Sequence, residues 1–321
     1  MKYRNLGLSG LKVSEISLGS WLTFGGVVAE EESVRAIRRA YELGVNFFDT
    51  ANAYNRGQAE EVLGRALSGF RRESLVVATK AFFPMDEGPN DRGLSRKHLF
   101  EQCEASLRRL GLDYLDLYQC HRSDDSTPLE ETLRALDDLQ AQGKILYAGV
   151  SEWPAERIRQ AALLGRQMNL RPLVSDQPGY NLLWRDSEAG VLEACREEGL
   201  GWVVYSPLAQ GVLTGKYRPG SKPGKGTRAA DKRQNMFMAR LMSPQNLKRV
   251  QAMAGLARRL KLTPGQLALA WCLRLPETAS VITGATRVAQ VEENVKASGV
   301  QLPKAALDEL ERLFPREGAG N

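Results

Sequence analysis

Four ionisable side chains of the sequence could together protonate a carbonyl oxygen while a hydride reaches the carbonyl carbon. They are Asp49, Tyr54, Lys80 and His121. Each lies at, or shortly after, the end of a short apolar run that is typical of a buried strand. We therefore expect a proton-transfer site at the carboxyl ends of neighbouring strands.

Each of these residues would have its own role in such a reaction. We expect the charge of a buried Lys80 to lower the pKa of Tyr54 from about 10 and to polarise its hydroxyl. Asp49 would hold Lys80 charged, and His121 would orient the carbonyl and stabilise the developing oxyanion. Taken singly, a lysine at a strand end is more often a surface charge, a histidine a packed polar residue and an aspartate a helix cap. The occurrence of all four residues at successive strand ends favours a catalytic site over these separate roles.

The elements that must position these side chains alternate regularly along the chain. Eight apolar runs, each followed by a segment of helical periodicity, are predicted to be strands: residues 15–18, 45–49, 75–79, 114–119, 147–150, 174–177, 202–205 and 280–282. Strands that alternate with helices form parallel sheets. About eight such units in 321 residues favour a closed (β/α)8 TIM barrel over an open doubly wound α/β sheet. In a barrel the carboxyl ends of the strands meet at one rim, which would bring the four side chains together.

Helix starts are predicted where a hydroxyl residue precedes a helical pattern. The candidates are Ser95, Thr127, Ser243 and Thr263, of which the last three are followed directly by proline. A serine or threonine hydroxyl can accept a free amide of the first helical turn, and proline is favoured at the first helical position. These four hydroxyls are therefore expected to cap helices.

Two segments interrupt the alternation. Residues 1–12, with the turn Ser9-Gly10, predict a β-hairpin that closes one end of the barrel. Residues 211–242 form a long insertion rich in Gly, Pro and Lys after the seventh strand, and we expect a lid over the rim where barrel active sites lie. The chain 1–321 is predicted to be a single domain, with a disordered tail at 315–321.

Composition excludes several other classes of protein. The chain is 43% hydrophobic and 26% charged with a net charge of +6, but its basic residues share helices with acidic ones, so we expect no nucleic-acid binding. No apolar run reaches the roughly 20 residues that cross a bilayer, and no membrane insertion is expected. The N-terminal residues lack the apolar core of a signal peptide, which predicts a cytoplasmic protein. Four cysteines without CxxC spacing and two histidines give no metal-ligand pattern, so no metal is expected.

The sequence resembles the aldo-keto reductases over essentially its whole length. The motifs that carry the resemblance are Asn46-Phe47-Phe48-Asp49-Thr50-Ala51 with Tyr54, Val77-Ala78-Thr79-Lys80, Asp116-Leu117-Tyr118-Gln119-Cys120-His121, Gly149-Val150-Ser151, Tyr205-Ser206-Pro207-Leu208 and Gly284-Ala285-Thr286. Within that family the chain is most similar to the branch of potassium-channel β subunits and their microbial relatives. This closer similarity lies in Thr23-Phe24-Gly25-Gly26, Arg92-Gly93-Leu94-Ser95-Arg96-Lys97-His98 and Ala270-Trp271-Cys272-Leu273-Arg274.

The resemblance implies an NADP(H)-dependent oxidoreductase acting on CH–OH groups, which reduces aldehydes or ketones to alcohols. It implies that Asp49, Tyr54, Lys80 and His121 form a catalytic tetrad, with Tyr54 as the general acid. The nicotinamide and pyrophosphate would contact Ser20, Trp21, Asp49, Ser151, Gln177, Tyr205, Ser206, Pro207, Leu208, Gln210 and Gly211, with Lys216, Tyr217 and Arg228 from the lid. The adenosine end would contact Gly284, Thr286, Arg287, Gln290, Glu293 and Asn294.

The choice between the two nicotinamide cofactors depends on Arg287. The resemblance places this residue at the adenosine end, where a helix is predicted to begin and its first amides favour an anion. A guanidinium can bind a 2′-phosphate in bidentate fashion, so we expect NADP(H) rather than NAD(H). No GxGxxG motif follows a strand, and a Rossmann domain is not expected.

Two positions depart from the channel-subunit pattern. Channel β subunits carry asparagine where this chain has His121, so the chain has the fuller reductase set and an enzyme is favoured over a channel accessory. Tyr205 lies where the similar proteins carry tryptophan, a change that preserves ring stacking on nicotinamide but could alter cofactor affinity.

An aromatic substrate pocket, suited to unhindered aldehydes, is predicted from Trp21, Phe24, Phe82, Phe83 and Trp153. Phe82 and Phe83 could equally be loop packing. Two other functions stay open. The chain could be a nicotinamide-cofactor-sensing accessory subunit of a membrane channel or transporter, or an aldolase that uses Lys80 as a Schiff base. The family also suggests a homo-oligomer.

Overall fold

The architecture follows a computed structural model, which describes residues 1–224, 227–231, 235 and 238–316, apart from the side chain of Val27. Two short strands at the N-terminus are β1 (Tyr3–Asn5) and β2 (Lys12–Ser14). Eight further strands are β3 (Ile16–Gly19), β4 (Phe47–Asp49), β5 (Val76–Ala81), β6 (Leu115–Cys120), β7 (Ile145–Ser151), β8 (Ser175–Gln177), β9 (Gly201–Val204) and β10 (Thr278–Thr283).

The eight later strands close into a parallel barrel in the order β10-β3-β4-β5-β6-β7-β8-β9. Each predicted strand overlaps one of them, so the (β/α)8 barrel is confirmed. The strands are buried on both faces: every residue of β5 and of β6 is buried. Alternate side chains therefore fill the barrel or pack outward against helices, as parallel strands require.

The helices of the described residues surround the barrel. They are α1 (Glu30–Glu42), α2 (Gln58–Leu67), α3 (Arg96–Leu110), α4 (Leu129–Ala141), α5 (Ala155–Gln167), α6 (Val191–Glu198), α7 (Met238–Leu241), α8 (Pro244–Arg259), α9 (Pro264–Cys272), α10 (Val288–Asn294) and α11 (Lys304–Leu313). Among the described residues, none of these helices combines the length and apolar character that crossing a membrane requires.

The predicted N-terminal hairpin is confirmed, and it closes the barrel end opposite the predicted site. Tyr3 pairs with Ser14 in an antiparallel ladder. Leu6, in the turn, is fully buried in one cluster with Phe47 and Val76, which are the first residues of β4 and β5. The hairpin thus plugs the amino-terminal end of the barrel with apolar side chains.

Three of the four predicted helix caps are confirmed. The hydroxyls of Ser95, Ser243 and Thr263 accept the expected backbone amides at the starts of α3, α8 and α9. The prediction for Thr127 is wrong, because its hydroxyl donates to the Asp124 carboxylate at 2.8 Å and α4 begins without a side-chain cap. The Thr127 hydroxyl therefore forms a hydrogen bond with a nearby carboxylate instead of the helix amide that the local sequence predicted.

The long segment after β9, the seventh barrel strand, crosses back toward the first one. The Tyr217 hydroxyl accepts the Ala229 amide at 3.3 Å, which ties two parts of the segment together. The Arg228 guanidinium lies 5.0 Å from the centre of the Trp21 ring, just beyond β3. Arg228 of the predicted lid therefore reaches the carboxyl end of β3, and residues 225–226, 232–234 and 236–237 lie outside the described residues.

The predicted tail at 315–321 lies outside the described residues from 317 onward. Its first part is ordered against the body of the protein, since Arg316 forms an ion pair with the buried carboxylate of Glu188.

Candidate active site

The four predicted catalytic residues lie at the carboxyl ends of consecutive barrel strands. Asp49 is the last residue of β4, Lys80 lies near the end of β5, and His121 directly follows β6. Tyr54 lies in the short helical turn Tyr54–Gly57 after β4. Because β4, β5 and β6 pair in sequence around the barrel, these side chains converge at one rim.

Lys80 and Asp49 form a buried ion pair. The Lys80 ammonium, with no exposed surface, donates to Asp49 Oδ2 at 2.6 Å and to the Thr50 carbonyl oxygen at 2.8 Å. Burial lowers the pKa of Lys80, although the Asp49 carboxylate opposes that shift. Asp49 Oδ1 also accepts from Gln177 Nε2 at 2.9 Å, so the carboxylate is held from two strands. A buried pair is tolerated when such hydrogen bonds satisfy its remaining polar atoms.

Tyr54 lies against both Lys80 and His121. Its ring centre is 5.2 Å from Lys80 Nζ, and it meets the His121 ring edge to face with centres 5.5 Å apart. The expected lowering of the Tyr54 pKa is wrong in this structure. Burial raises the pKa of Tyr54 and the Asp49 carboxylate raises it further, with Arg122 opposing. The Asp49 charge offsets that of Lys80, so the phenol stays neutral and keeps its proton.

His121 is buried and neutral. Burial, together with the charges of Lys80 and Arg122, holds the pKa of His121 well below its usual range. Its Nδ1 atom is buried without a hydrogen-bond partner among the described residues. A neutral imidazole keeps one N–H donor. The ring therefore presents a polar atom that is free to meet a ligand.

The residues predicted to hold nicotinamide form a network connected to the tetrad. Ser151 Oγ donates to the Gln177 carbonyl oxygen at 2.8 Å, and Gln177 contacts Asp49 as described above. Ser20 Oγ donates to Thr50 Oγ1 at 2.8 Å. Tyr205, just after β9, packs edge to face against Trp184, with ring centres 5.8 Å apart. Ser20, Ser151, Gln177 and Tyr205 thus lie on the same rim as the tetrad.

The loop after β9 has an unusual backbone. Ser206, Gln210 and Gly211 have φ values of 53°, 56° and 91°, and Ala209 between them has 46°. Left-handed conformations of non-glycine residues are costly and cluster at ligand clamps. The predicted pyrophosphate contacts Pro207 and Leu208 lie within this same loop.

Three predicted phosphate ligands lie close together. Burial lowers the pKa of Lys216, and the positive charges of Arg287 and Arg228 lower it further. Burial also lowers the pKa of Arg228 from 12.5 to about 10. Three cations near one another create a positive potential that favours a bound anion, so the cluster could hold phosphate groups.

The predicted adenosine ligands surround the start of α10. Gln290 Oε1 accepts the Thr286 amide at 2.7 Å and the Thr286 hydroxyl at 3.1 Å. Glu293 accepts from the Thr263 hydroxyl at 2.9 Å. Gly284 lies just beyond β10 and Asn294 is buried at the end of α10. The Thr286 amide is therefore occupied by Gln290 and would need to be released to bind an anion.

The predicted pocket residues divide into two groups. The Phe83 ring lies 4.8 Å from His121 and 5.3 Å from Phe82, and Trp21 lies beneath Arg228. Phe24 and Trp153 are instead buried in the large core, and neither ring contacts a tetrad ring within the described part of the chain.

Two residues near the tetrad were not predicted from the sequence. Gln119 Nε2 lies 3.5 Å from Asp49 Oδ1, at the same acceptor atom as Gln177. The Arg122 guanidinium lies 5.5 Å from the Phe83 ring centre and donates to the His121 carbonyl oxygen at 2.5 Å. The available signal was position alone, since Gln119 ends a strand and Arg122 directly follows His121.

No group of three or more His, Cys, Asp and Glu side chains in the described ranges is arranged to hold a metal ion. The four cysteines are free and buried. Burial raises the pKa of Cys103, Cys120 and Cys272 to about 12 in each case, so these thiols are poor nucleophiles.

Comparison with known sequences identifies the class of protein to which this barrel and its four rim residues belong. The chain belongs to the Aldo/keto reductase family, whose pattern matches residues 15–314. It is 42% identical to a probable voltage-gated potassium channel subunit beta of Arabidopsis thaliana, over 98% of this chain and 97% of that protein. A subunit of the same description from Oryza sativa subsp. japonica is also 42% identical, over 98% and 96% of the two chains. A putative one from Schizosaccharomyces pombe is 42% identical over 92% and 87%.

Proposed function

We propose that the protein is an NADPH-dependent oxidoreductase that reduces aldehydes and ketones to alcohols. The observation that carries the proposal is the tetrad geometry: neutral Tyr54 and neutral His121 lie edge to face beside the buried Lys80–Asp49 pair. Carbonyl reduction needs a proton donor and a donor of hydrogen bonds at the same oxygen. Membership of the Aldo/keto reductase family supports the same reaction class.

Tyr54 is the proton donor in this proposal. Burial and the Asp49 charge raise the pKa of Tyr54, so its hydroxyl is protonated at neutral pH. Once the proton has moved to the carbonyl oxygen, the resulting phenolate lies beside the Lys80 ammonium, which is 5.2 Å from the ring centre. A nearby cation favours the charged form of a group, so Lys80 stabilises the product state of proton transfer.

His121 orients the substrate by donating a hydrogen bond to the carbonyl oxygen. Its imidazole is neutral because burial and two neighbouring cations lower its pKa, so it polarises the carbonyl without competing with Tyr54 as an acid. The Nδ1 atom lacks a partner among the described residues, so either ring nitrogen could hold the donor proton.

A bound NADPH would supply the hydride. Ser151, Gln177 and Tyr205 would hold its nicotinamide at the rim. Lys216, Arg228 and Arg287 would bind its phosphates. Burial lowers the pKa of Lys216 and the nearby charges of Arg287 and Arg228 lower it further, and this closeness of three cations supports an anionic ligand there. Arg287 would distinguish NADPH from NADH by a bidentate contact with the 2′-phosphate.

The proposal is tested by following absorbance at 340 nm with 4-nitrobenzaldehyde and either NADPH or NADH. We expect steady loss of signal with NADPH and far less with NADH. Arg287→Gln should raise the KM for NADPH by about tenfold or more, as the loss of a charge-assisted contact predicts. Arg312→Gln, in an exposed part of α11, is the matched control and should leave that KM unchanged. Similar rates with both cofactors would contradict the role given to Arg287.

A second function is favoured by the relatives. Proteins 42% identical to this chain are named as potassium channel subunits, so the chain could sense cofactor as an accessory of a membrane channel or transporter. Tight NADPH binding without turnover across a panel of aldehydes would favour this function. Recovery of a channel or transporter from membranes by the tagged protein would support it directly.

A further inference from the structure

Arg122 is a charged residue near the tetrad to which the proposed reaction gives no role. It directly follows His121, and its guanidinium lies 5.5 Å from the centre of the Phe83 ring, which itself packs against the His121 ring. Its positive charge lowers the pKa of Tyr54, although burial raises that pKa overall, and it acts on Tyr205 in the same direction. The guanidinium therefore lies near the rim, close enough for its charge to act on Tyr54 after β4 and on Tyr205 after β9.

The other charges of the site cancel. Asp49 and Lys80 form a tight pair, and Tyr54 and His121 are neutral. In the portion of the chain that the structure describes, no carboxylate lies within ion-pair distance of Arg122. Of the charges on the tetrad and Arg122, only the Arg122 guanidinium has no ion-pair partner within the described residues.

Nearby carboxylates have other partners. Glu152 Oε1 accepts the Gly179 amide at 2.6 Å. Asp124 accepts the hydroxyls of Ser126 and Thr127 at 2.6 and 2.8 Å. Both acids therefore have hydrogen-bond partners of their own, and neither forms an ion pair with Arg122 among the described residues.

Among the described residues Arg122 donates one hydrogen bond, which uses only part of its donor capacity. It donates to the His121 backbone carbonyl oxygen at 2.5 Å, which ties the guanidinium to the end of β6. A guanidinium has five N–H donors in a planar fork, and most of them remain for a ligand. Carboxylate and phosphate oxygens match that fork in bidentate geometry.

We propose that Arg122 selects carbonyl substrates that also carry an anionic group, a carboxylate or a phosphate. The inference rests on the proposed reductase function and adds the substrate class. The carbonyl would lie at Tyr54 and His121, and the anionic group would reach Arg122 beside Phe83. Arg122 is then a specificity-determining residue rather than a source of the transferred proton.

The test compares matched substrates that differ in charge. The carboxylate pair is 4-carboxybenzaldehyde and methyl 4-formylbenzoate, and the phosphate pair is glycolaldehyde phosphate and glycolaldehyde. For wild-type protein with NADPH we expect kcat/KM for the anionic member of at least one pair to exceed that of the neutral member by about 10–100-fold, the size of a charge-assisted contact. The pair with the larger ratio identifies the anion.

Variants assign the preference to Arg122. Arg122→Gln should bring the ratio of anionic to neutral kcat/KM close to one, mainly through the KM of the anionic substrate, and Arg122→Lys should restore part of it. Arg157→Gln is the control, because Arg157 lies over the Trp153 ring in the core and should leave the ratio unchanged. The inference is wrong if wild type shows no preference in either pair, or if Arg122→Gln retains it.

A failure of the proposed reductase function can be distinguished from a failure of the inference about Arg122. If no aldehyde of either charge is reduced, the proposed function is wrong. Titration calorimetry of the NADPH-loaded protein with 4-carboxybenzaldehyde and with its methyl ester then tests whether Arg122 recognises the anionic group. Tighter binding of the carboxylate that is lost in Arg122→Gln supports the inference, and equal binding of the two compounds overturns it.

Discussion

At the scale of single residues, the site is built on a lysine and an aspartate that are costly to bury. Lys80 donates to Asp49 at 2.6 Å inside the barrel, and burial opposes its charge. Removing one member of such a pair leaves the other charge buried and uncompensated, whereas removing both is far less costly. The pair is therefore expected to show strong coupling in stability as well as in activity.

Lys80→Met should lower the free energy of unfolding by about 3–5 kcal/mol, because it leaves the Asp49 carboxylate uncompensated. The double variant Asp49→Asn/Lys80→Met should recover much of that loss. Urea unfolding of the two single variants and the double variant gives the coupling energy. Additive losses would show that the two groups do not interact in the folded protein.

Tyr54→Phe removes the proposed proton without removing the ring that packs against His121. We expect the variant to fold and to bind NADPH, but to lose about 10²–10⁴-fold in turnover, the usual contribution of a general acid. Single-turnover rates with saturating NADPH measure the effect, and NADPH fluorescence checks that cofactor is bound. Turnover close to that of wild type would assign the acid to another group.

Much of the site could be predicted at this scale, and its electrostatics could not. The positions of Asp49, Lys80 and His121 on the rim were predictable because each ends or follows an apolar run, and their catalytic role stays a prediction. The direction of the Tyr54 pKa was predicted wrongly, because it depends on burial and on the closeness of Lys80 to Asp49, neither of which spacing reveals. Arg122 was missed because a single arginine after a strand has no pattern of its own.

At the scale of elements, the N-terminal hairpin contributes stability rather than chemistry. Leu6 fills the amino-terminal end of the barrel, opposite the carboxyl rim where the tetrad lies. The hairpin and the site can therefore be perturbed independently.

Leu6→Ala should lower the free energy of unfolding by about 2–5 kcal/mol, as expected for a cavity at a fully buried leucine. Leu8→Ala is the matched control in the same turn: Leu8 is 90% exposed, and its truncation should change stability by less than about 0.5 kcal/mol. Urea unfolding of both variants makes the comparison. Equal effects of the two changes would mean that the hairpin does not close the barrel in solution.

Elements with a clear hydrophobic or capping pattern could be predicted from the sequence. Features that depend on a tertiary contact could not. The strands follow from apolar runs between helical segments, and the caps of α3, α8 and α9 follow from local hydroxyls. The Thr127 cap failed because Asp124 competes for the same hydroxyl. Local sequence cannot rank a helix amide against a carboxylate that the fold brings to within 2.8 Å.

At the scale of the whole molecule, a buried carboxylate joins distant parts of the chain. Glu188, with its side chain 1% exposed, accepts from Arg185 at 2.9 Å and from Arg274 at 3.2 Å, and it also contacts Arg316 and the Tyr180 hydroxyl. Burial alone would raise the pKa of Glu188, but hydrogen bonds from Arg185 and Tyr180 and the charges of Arg185 and Arg274 lower it from 4.5 to about 2. The C-terminal segment is thereby held to the loop after β8.

The depressed pKa predicts how stability depends on pH. A carboxyl whose pKa is lower in the folded state contributes stability that is present above its unfolded pKa and is lost as pH falls through its folded pKa. A change from 4.5 to about 2 corresponds to roughly 3 kcal/mol, lost between about pH 5 and pH 2. Wild type and Glu188→Gln should therefore differ most in unfolding free energy at neutral pH and converge toward acid.

Urea unfolding of both proteins from pH 7 to pH 3 measures this difference. Glu73→Gln, at an exposed carboxylate, is the control and should show no such convergence. A gap between wild type and Glu188→Gln that stays constant from pH 5 to pH 3 would contradict the assignment. No sequence pattern predicted this cluster, since its members are separated along the chain and only the closed barrel assembles them.

The central claim is that this chain moves a hydride from NADPH to a carbonyl carbon. The most direct test incubates the protein with 4-nitrobenzaldehyde and NADPH carrying deuterium at C4 of the nicotinamide, in each of its two stereochemical forms. The account predicts 4-nitrobenzyl alcohol with one deuterium on the carbinol carbon from only one of the two forms. Unlabelled alcohol from both forms, or tight cofactor binding without any alcohol, would contradict it.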